Sequence, residues 1–220
     1  ITNKAQNFGC RVGFDLAHAT GNIKMNLHDW GVDFAVWCGY KYLNGGPGAP
    51  SGVFVHQRHL DREDIPRFEG WWGHEKSSRL NMLEDFKPLN TAEAWQVSNP
   101  PILSMSALLS SLEIFHNVGM SQLKEKSEKL TSYLELLLKS YLEDQIEIIT
   151  PSSIRSRGCQ LSIRLRKSIH NVTAILHDHG VISDWREPDV IRVAPVPLYN
   201  TFEDCYKFVQ ILKNILNEKK

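Results

Sequence analysis

The sequence predicts an α/β protein with a sheet near its start, and two observations point to this. Short apolar runs at 9–17, 33–38 and 53–56 have the length expected of buried strands. Turn signals rich in glycine, asparagine and proline separate these runs. Because the connections are short, we expect the three strands to share one sheet whose strand ends converge on a crevice.

The second half of the chain has helical periodicity first and then a mixture of strands and helices. Helices are predicted at 102–119 and 121–141, with Ser121 as the N-cap of the second. A small α/β unit in the order ββαββα is predicted to follow, with elements at 146–150, 159–165, 172–180, 181–184, 190–194 and 201–217. We therefore expect a first domain over residues 1–100, and a second domain with its linking helices over 101–220.

Composition excludes several classes of function. The 220-residue chain carries 25 basic and 25 acidic side chains, so its formal net charge is zero. A neutral chain does not attract nucleic acid or an anionic membrane as a partner. Its apolar runs are far shorter than the ~20 residues that span a bilayer. Its four cysteines are scattered, with no CxxC pair, so we expect no metal site. Such cysteine usage is typical of thiols in a cytoplasmic protein.

Two strand ends carry the candidate chemistry. Asp15 ends the first apolar run, and Lys41 follows the second in a loop that contains Gly45, Gly46 and Gly48. A lysine that forms a Schiff base needs a fixed position, partial desolvation and room for a bulky cofactor, and the glycines provide that room. A carboxylate facing the same crevice can keep a pyridine nitrogen protonated, which makes the ring a stronger electron sink. The alternatives are a solvated lysine on a turn and an aspartate that initiates a turn.

An aspartate and then a lysine at successive strand ends is the order found in pyridoxal-phosphate enzymes of the aspartate-aminotransferase fold. Longer strings are more specific, and they resemble kynureninases over nearly the whole chain: GFDLAHATGN, LHDWGVDFAVWCGYKYLNGG, GWWGHE, SNPPIL, RGCQLSI and IRVAPVPLYN. The resemblance implies fold type I of the PLP-dependent transferases, class V aminotransferase-like. The chain would then hold the C-terminal part of the large PLP-binding domain and the small α/β C-terminal domain.

The same resemblance implies an activity. Kynureninases are homodimeric pyridoxal-phosphate hydrolases that cleave kynurenine or 3-hydroxykynurenine to anthranilate or 3-hydroxyanthranilate and alanine. They belong to tryptophan catabolism, on the route toward NAD. The small-molecule substrates are the kynurenines, and neither nucleic acid nor a membrane is expected as a partner.

The resemblance also assigns roles to residues near the two strand ends. Lys41 is implied as the residue that binds the cofactor aldehyde and later moves protons between Cα and the cofactor. Tyr40, beside it, is implied as a phosphate ligand or proton relay. Asp15 is implied as the partner of the pyridinium nitrogen, with His18 next to the same ring.

Further assignments lie later in the chain. Trp71 is implied as a contact of the cofactor phosphate, reaching the site of the neighbouring subunit. Ser98 and Asn99 are implied at the substrate, with Asn99 also at the cofactor. Arg192 is implied as the clamp of the substrate α-carboxylate, a role that suits a guanidinium because it can bind a carboxylate bidentately. Taken alone, the pattern around each residue favours an exposed strand arginine for Arg192, a core or interface residue for Trp71, and a turn residue for Asn99.

The chain departs from the family pattern in three respects. It begins at Ile1 without a lead-in and matches only the C-terminal half, so no glycine-rich helix start that could cradle a phosphate precedes Asp15. We therefore expect a fragment that is inactive alone. Gln96 stands where a basic residue is expected, and the pair Trp71–Trp72 leaves open which ring meets the cofactor.

Two other functions remain open. The chain could come from a cysteine desulfurase-like or aminotransferase member of the same fold, although none of its cysteines is predicted in the mobile loop that a desulfurase needs. It could also act only as a structural or dimerisation partner. Nucleotide binding by the GGPGAPSG loop is disfavoured, because the GK[ST] of a phosphate loop is absent.

Overall fold

The computed structural model describes residues 1–167, 169 and 171–217. The chain divides into two compact units, the first over Ile1–Asn117 and the second beginning at Val118. The helix that follows residue 101 therefore belongs almost entirely to the first unit. The domain boundary predicted at residue 100 stays a prediction.

The first unit contains the sheet expected from the sequence. A short helix, α1 (Thr2–Gln6), precedes three strands, β1 (Gly13–Asp15), β2 (Phe34–Trp37) and β3 (Gly52–Val55). β1 pairs with β2 in parallel, and β3 pairs with β2 antiparallel. The three predicted strands are thus confirmed in one sheet, the first two with narrower bounds than predicted.

The segment between β3 and the next long helix is built from short turns. It forms 3₁₀ helices at Gln57–His59, Trp71–Gly73 and Ala92–Trp95, and is followed by α2 (Ile102–Val118). α2 is anchored to the loop after β2, because the buried Ser111 hydroxyl donates a hydrogen bond to the Leu43 carbonyl at 2.6 Å. This contact ties the long helix to the loop that carries Lys41.

A buried carboxylate organises the opposite end of β2. Asp33, immediately before β2, accepts hydrogen bonds from the Val12 N–H (2.7 Å), the Arg58 guanidinium (2.7 Å), the His59 ring (2.7 Å) and the Gln6 amide (3.1 Å). Burial alone would raise the pKa of Asp33, but these donors hold it well below its ordinary value. The network fixes the start of the strand that leads to the candidate site.

The second unit has the predicted ββαββα order after its first helix. Its elements are α3 (Met120–Leu142), β4 (Ile146–Ile148), β5 (Leu161–Leu165), α4 (Val172–Asp178), β6 (Asp184–Arg186), β7 (Val190–Val193) and α5 (Phe202–Asn217). The sheet order is β4-β5-β7-β6, with every pair antiparallel. The apolar face of the sheet shares one core with α3 and α5, which includes Leu130, Leu134, Leu138, Ile163, Ile191 and Leu212.

Two local predictions in this unit are wrong. The N-cap of α3 is Gly119 rather than Ser121, because α3 starts directly after α2 and the single linking glycine takes a φ of +81°. The strand predicted at 181–184 begins only at Asp184, because strand pairing starts where Asp184 stands opposite Arg192.

Neither a membrane-spanning helix nor a metal-ligating cluster is found in the described residues. Every helix in this part of the chain is too short or too polar to cross a bilayer. No three His, Cys, Asp or Glu side chains come together as potential metal ligands within residues 1–167, 169 and 171–217.

Candidate active site

The candidate site lies at one edge of the first sheet. Because β1 and β2 are parallel, their carboxyl ends meet at the same edge. Asp15 is the last residue of β1, paired in register with Val36 of β2. Lys41 lies in the loop that leaves β2. The topology thus brings both predicted groups to the edge where open α/β sheets bind ligands.

The chain turns sharply after Asp15. The Ala17 N–H donates a hydrogen bond to Asp15 Oδ1 at 2.8 Å, and the Leu16 N–H donates to the Val36 carbonyl at 2.8 Å. Asp15 is therefore a turn-initiating residue, one of the two alternatives that the sequence allowed. The same hydrogen bond fixes the exposed carboxylate at the strand end and leaves Oδ2 as an acceptor for another group.

The segments after the two strands pack against each other. The Cys38 thiol donates to the Ala17 carbonyl at 3.8 Å, and the rings of His18 and Tyr42 meet edge to face at 6.0 Å. Gly21 has a φ of +81°, and a Cβ there would stand 2.7 Å from the Tyr42 carbonyl oxygen. Backbone from one segment therefore touches backbone from the other, and only glycine fits between them.

The loop that carries Lys41 is closed by its own backbone. The Gly45 N–H donates to the Gly39 carbonyl at 2.9 Å, and a Cβ on Gly39 would stand 2.4 Å from the Pro50 carbonyl oxygen. Lys41 is half-buried, and its Nζ lies 5.7 Å from the centroid of the exposed Tyr40 ring. A fixed backbone and partial burial are two of the conditions that a reactive lysine requires.

The doubled tryptophan separates into an inner and an outer ring. The Arg79 guanidinium stacks 4.4 Å from the Trp72 ring and donates to the Trp72 carbonyl. Trp71 touches Trp72 edge to face at 5.2 Å, and 47% of it remains exposed. Trp71 is thus the ring that is open to a ligand or a second subunit, whereas Arg79 holds Trp72 in place.

Ser98 and Asn99 lie beside the Trp71 segment. A Cβ on Gly70 would stand 2.1 Å from the carbonyl oxygen of Val97, so the two backbones are in direct contact. The Ser98 hydroxyl donates to Asn99 Oδ1 at 3.1 Å, and both residues are exposed. The first unit therefore brings these later candidates together as a second cluster.

Arg192 belongs to the second unit, on the polar face of its sheet. The strand register places it between Ser162 of β5 and Asp184 of β6. Its side chain is only 22% exposed, and its Nη2 donates to Asp184 Oδ2. Its Nε is buried and has no hydrogen-bond partner among the described residues. Arg192 is thus a largely buried, paired residue and not the freely solvated strand arginine of the alternative.

Three supporting residues were not singled out from the sequence. Ser111 holds the Lys41 loop, Arg79 fixes Trp72, and Asp184 pairs with Arg192. Strand alternation is the available signal for Asp184, but the strand predicted at 181–184 ends where the observed strand begins, so it does not reveal the pairing with Arg192. The other two contacts arise only from tertiary packing.

Comparison with solved structures gives the class of protein. The structure is similar to a cysteine desulfurase from Thermococcus onnurineus, with a TM-score of 0.74, 18% identity, and coverage of 97% of this chain and 54% of that one. It is also similar to alanine–glyoxylate aminotransferase from Nostoc, with a TM-score of 0.68, 18% identity, and coverage of 98% and 56%. At such identities the likeness concerns the fold alone. The chain has the fold of the class V aminotransferase-like enzymes, which confirms the predicted fold class.

Sequence comparison gives the family. The family model of the kynureninase C-terminal domain matches residues 123–212. The curated kynureninases of Myxococcus xanthus and Flavobacterium johnsoniae are 54% and 53% identical to this chain, over 99% and 97% of its length. The chain belongs to the kynureninase family, as its motifs predicted. It spans about half the length of these curated relatives, 51% of each.

Proposed function

We propose that this chain is part of an enzyme that hydrolyses L-kynurenine or 3-hydroxy-L-kynurenine to anthranilate or 3-hydroxyanthranilate and L-alanine, with pyridoxal phosphate as cofactor. One observation carries the proposal: the segment after Asp15 packs against the segment around Lys41, in a chain 54% identical to a curated kynureninase. Because the chain spans about half the length of its relatives, the activity is proposed for a longer protein, called the complete enzyme below.

The residues present fit part of a pyridoxal-phosphate site. The strand edge offers a half-buried amine on Lys41 for the aldehyde and a carboxylate on Asp15 for the pyridine nitrogen. Gly21 and Gly39 keep side chains out of the packed backbone that carries these two groups. When bound, pyridoxal phosphate supplies an electron sink for the pair left at the substrate α-carbon.

Each residue at the strand ends has a separate task. Lys41 binds the aldehyde and afterwards removes and returns a proton at the substrate α-carbon. Asp15, fixed by its turn, favours the protonated form of the pyridine nitrogen through its negative charge. His18 packs beside the ring. The exposed Tyr40 hydroxyl binds the phosphate or relays a proton next to Lys41.

The second cluster and Arg192 complete the proposed contacts. The enzyme is a homodimer in this proposal. The exposed Trp71 of one subunit binds the cofactor phosphate of the neighbouring subunit through its indole N–H. Asn99 binds substrate and cofactor through its side-chain amide, and the Ser98 hydroxyl binds the substrate. Arg192 binds the substrate α-carboxylate, and its unpaired Nε supplies a donor for this purpose.

The cellular setting follows from the same proposal. The enzyme would act in tryptophan catabolism and NAD biosynthesis, in the cytoplasm. The free thiols of Cys10, Cys38 and Cys205 favour a reducing compartment. In the complete enzyme, residues 1–100 would form part of the large PLP-binding domain and 101–220 the linking helices and small domain.

The test is anthranilate fluorescence released from L-kynurenine by the complete enzyme. Lys41→Ala should lower kcat by at least about a thousandfold, within the range for loss of an acid–base group. The exposed Lys24→Ala is the matched control and should leave kcat unchanged. The chain of 220 residues alone should give negligible turnover. Absence of anthranilate together with formation of a 2-oxo acid from the amino-acid substrate would instead indicate an aminotransferase reaction. Absence of anthranilate together with release of sulfur and alanine from L-cysteine would indicate a desulfurase reaction.

A further inference from the structure

We infer that Asp184 is a positioning residue that fixes the Arg192 guanidinium for the substrate carboxylate. The inference rests on the proposed function, in which Arg192 binds that carboxylate. Asp184 itself would not touch the substrate. It would act through the arginine that does.

The strand pairing sets the geometry of this contact. Asp184 and Arg192 are partners in register across the antiparallel strands β6 and β7, on the polar face of the sheet. Directly opposed side chains in an antiparallel pair are the closest neighbours that a sheet provides. The backbone therefore holds the carboxylate against Arg192, and Arg192 Nη2 donates to Asp184 Oδ2.

The same carboxylate oxygen also holds a second guanidinium. Arg186 Nη2 lies 3.1 Å from Asp184 Oδ2, and Arg186 is two positions along the same strand. The negative charge of Asp184 thus offsets the repulsion between two guanidinium groups that lie close together. If the Asp184 carboxylate lost its charge, Arg192 would be expected to move away from Arg186 and lose its fixed orientation.

The contact with Asp184 still leaves donors for a substrate. A guanidinium presents several N–H donors in one plane, so that one carboxylate can occupy Nη2 while a second binds elsewhere on the fork. Arg192 Nε is buried without a partner among the described residues. A buried unpaired donor is costly unless a ligand satisfies it, which favours a carboxylate guest at this position.

The test compares Asp184→Asn with Asp189→Asn in the complete enzyme. Asp189 is the matched control, because it lies in the same β6–β7 hairpin and pairs with Arg164 at 3.5 Å instead. Asp184→Asn should raise KM for L-kynurenine by about ten- to a hundredfold, the range for one lost hydrogen bond to a charged group. Its kcat should change by less than about threefold. Asp189→Asn should change neither value.

A substrate analogue separates positioning from a general structural defect. Kynuramine is kynurenine without the carboxylate, so its inhibition constant should be the same for wild type and Asp184→Asn. Adding Arg186→Gln to Asp184→Asn should recover part of the lost affinity, because the repulsion is removed.

The inference would be overturned by an unchanged or lowered KM in Asp184→Asn, or by an equal loss of affinity for kynuramine. Failure of the proposed function looks different, since the wild-type complete enzyme would then release no anthranilate. In that case titration with L-alanine, which keeps the carboxylate, still decides the role of Asp184. Weaker alanine binding in Asp184→Asn supports the role, and equal binding contradicts it.

Discussion

Replacing Glu135 by glutamine should loosen the connection between β4 and β5. Glu135 lies on α3 and accepts hydrogen bonds from the Lys139 ammonium at 2.6 Å, the Ser152 hydroxyl at 2.5 Å, and the Arg157 guanidinium. Only 2% of the Arg157 side chain is exposed. Removing the carboxylate charge therefore leaves a buried guanidinium without its counter-charge, which is strongly destabilising.

The expected magnitude follows from the pKa of Glu135. Burial alone would raise this pKa, but the three donors lower it from 4.5 to about 2. A pKa lowered from 4.5 to about 2 corresponds to ~3 kcal/mol of stability at neutral pH, which a neutral glutamine would lose. Because the folded-state pKa is depressed, this stability is present above pH 4.5 and is lost as the pH falls toward about 2.

Amide hydrogen exchange in the complete enzyme, followed by mass spectrometry, measures this loss locally. Exchange in peptides covering residues 149–160 should accelerate by ~150-fold in Glu135→Gln near neutral pH, the equivalent of ~3 kcal/mol. The matched control is Glu125→Gln on the same helix. Glu125 pairs with Lys129 at 2.6 Å, but both side chains are exposed and solvent screens the pair, so no measurable acceleration of exchange is expected.

Two results would refute the reasoning about Glu135. One is equal exchange of residues 149–160 in the Glu135→Gln and Glu125→Gln variants. The other is a difference between wild type and Glu135→Gln that stays constant as the pH is lowered to about 3, because the account requires that difference to shrink.

Three further predictions concern the first unit of the complete enzyme. Ser111→Ala should lower the stability of the fold by about 1–3 kcal/mol, because the buried Leu43 carbonyl loses its hydrogen bond, and hydrogen exchange in the Lys41 loop should accelerate. Ser110→Ala, at an exposed position, should change neither. Asp33→Ala should lower the free energy of unfolding, measured by thermal denaturation, by about 3–5 kcal/mol, because the buried donors around Asp33 lose their acceptor. Asp29→Ala, which removes an exposed carboxylate, should have little effect. Gly70→Ala should weaken binding of pyridoxal phosphate in a fluorescence titration, because the new Cβ would meet backbone at 2.1 Å; unchanged affinity would contradict the proposed contact of the neighbouring tryptophan with the cofactor.

Much of the fold could be predicted because its signals are local. The apolar runs of β1 and β2 and their short connections predicted strands of one sheet whose ends converge on a crevice. In the structure the two strands are parallel, and their carboxyl ends bring Asp15 and the Lys41 loop to the same edge. The ββαββα order of the second unit likewise follows from strand and helix periodicity. The motif around Lys41 added the family, because a specific string carries information that periodicity does not.

The supporting contacts could not be predicted, for physical reasons. The link from Ser111 to the Lys41 loop joins residues that are far apart in sequence, and no period or cap signal marks it. The inner and outer roles of Trp71 and Trp72 depend on where Arg79 stacks after folding. The pairing of Asp184 requires the strand register, and an error of a few residues in the strand start conceals it.

The most direct measurement is borohydride reduction of the complete enzyme loaded with pyridoxal phosphate, followed by peptide mass spectrometry. The account expects a phosphopyridoxyl group fixed on the ε-nitrogen of Lys41, absent from Lys41→Arg and retained in Lys24→Arg. A label on a different lysine, or an unlabelled Lys41 in a protein that holds the cofactor, would contradict the placement of the cofactor at this strand edge.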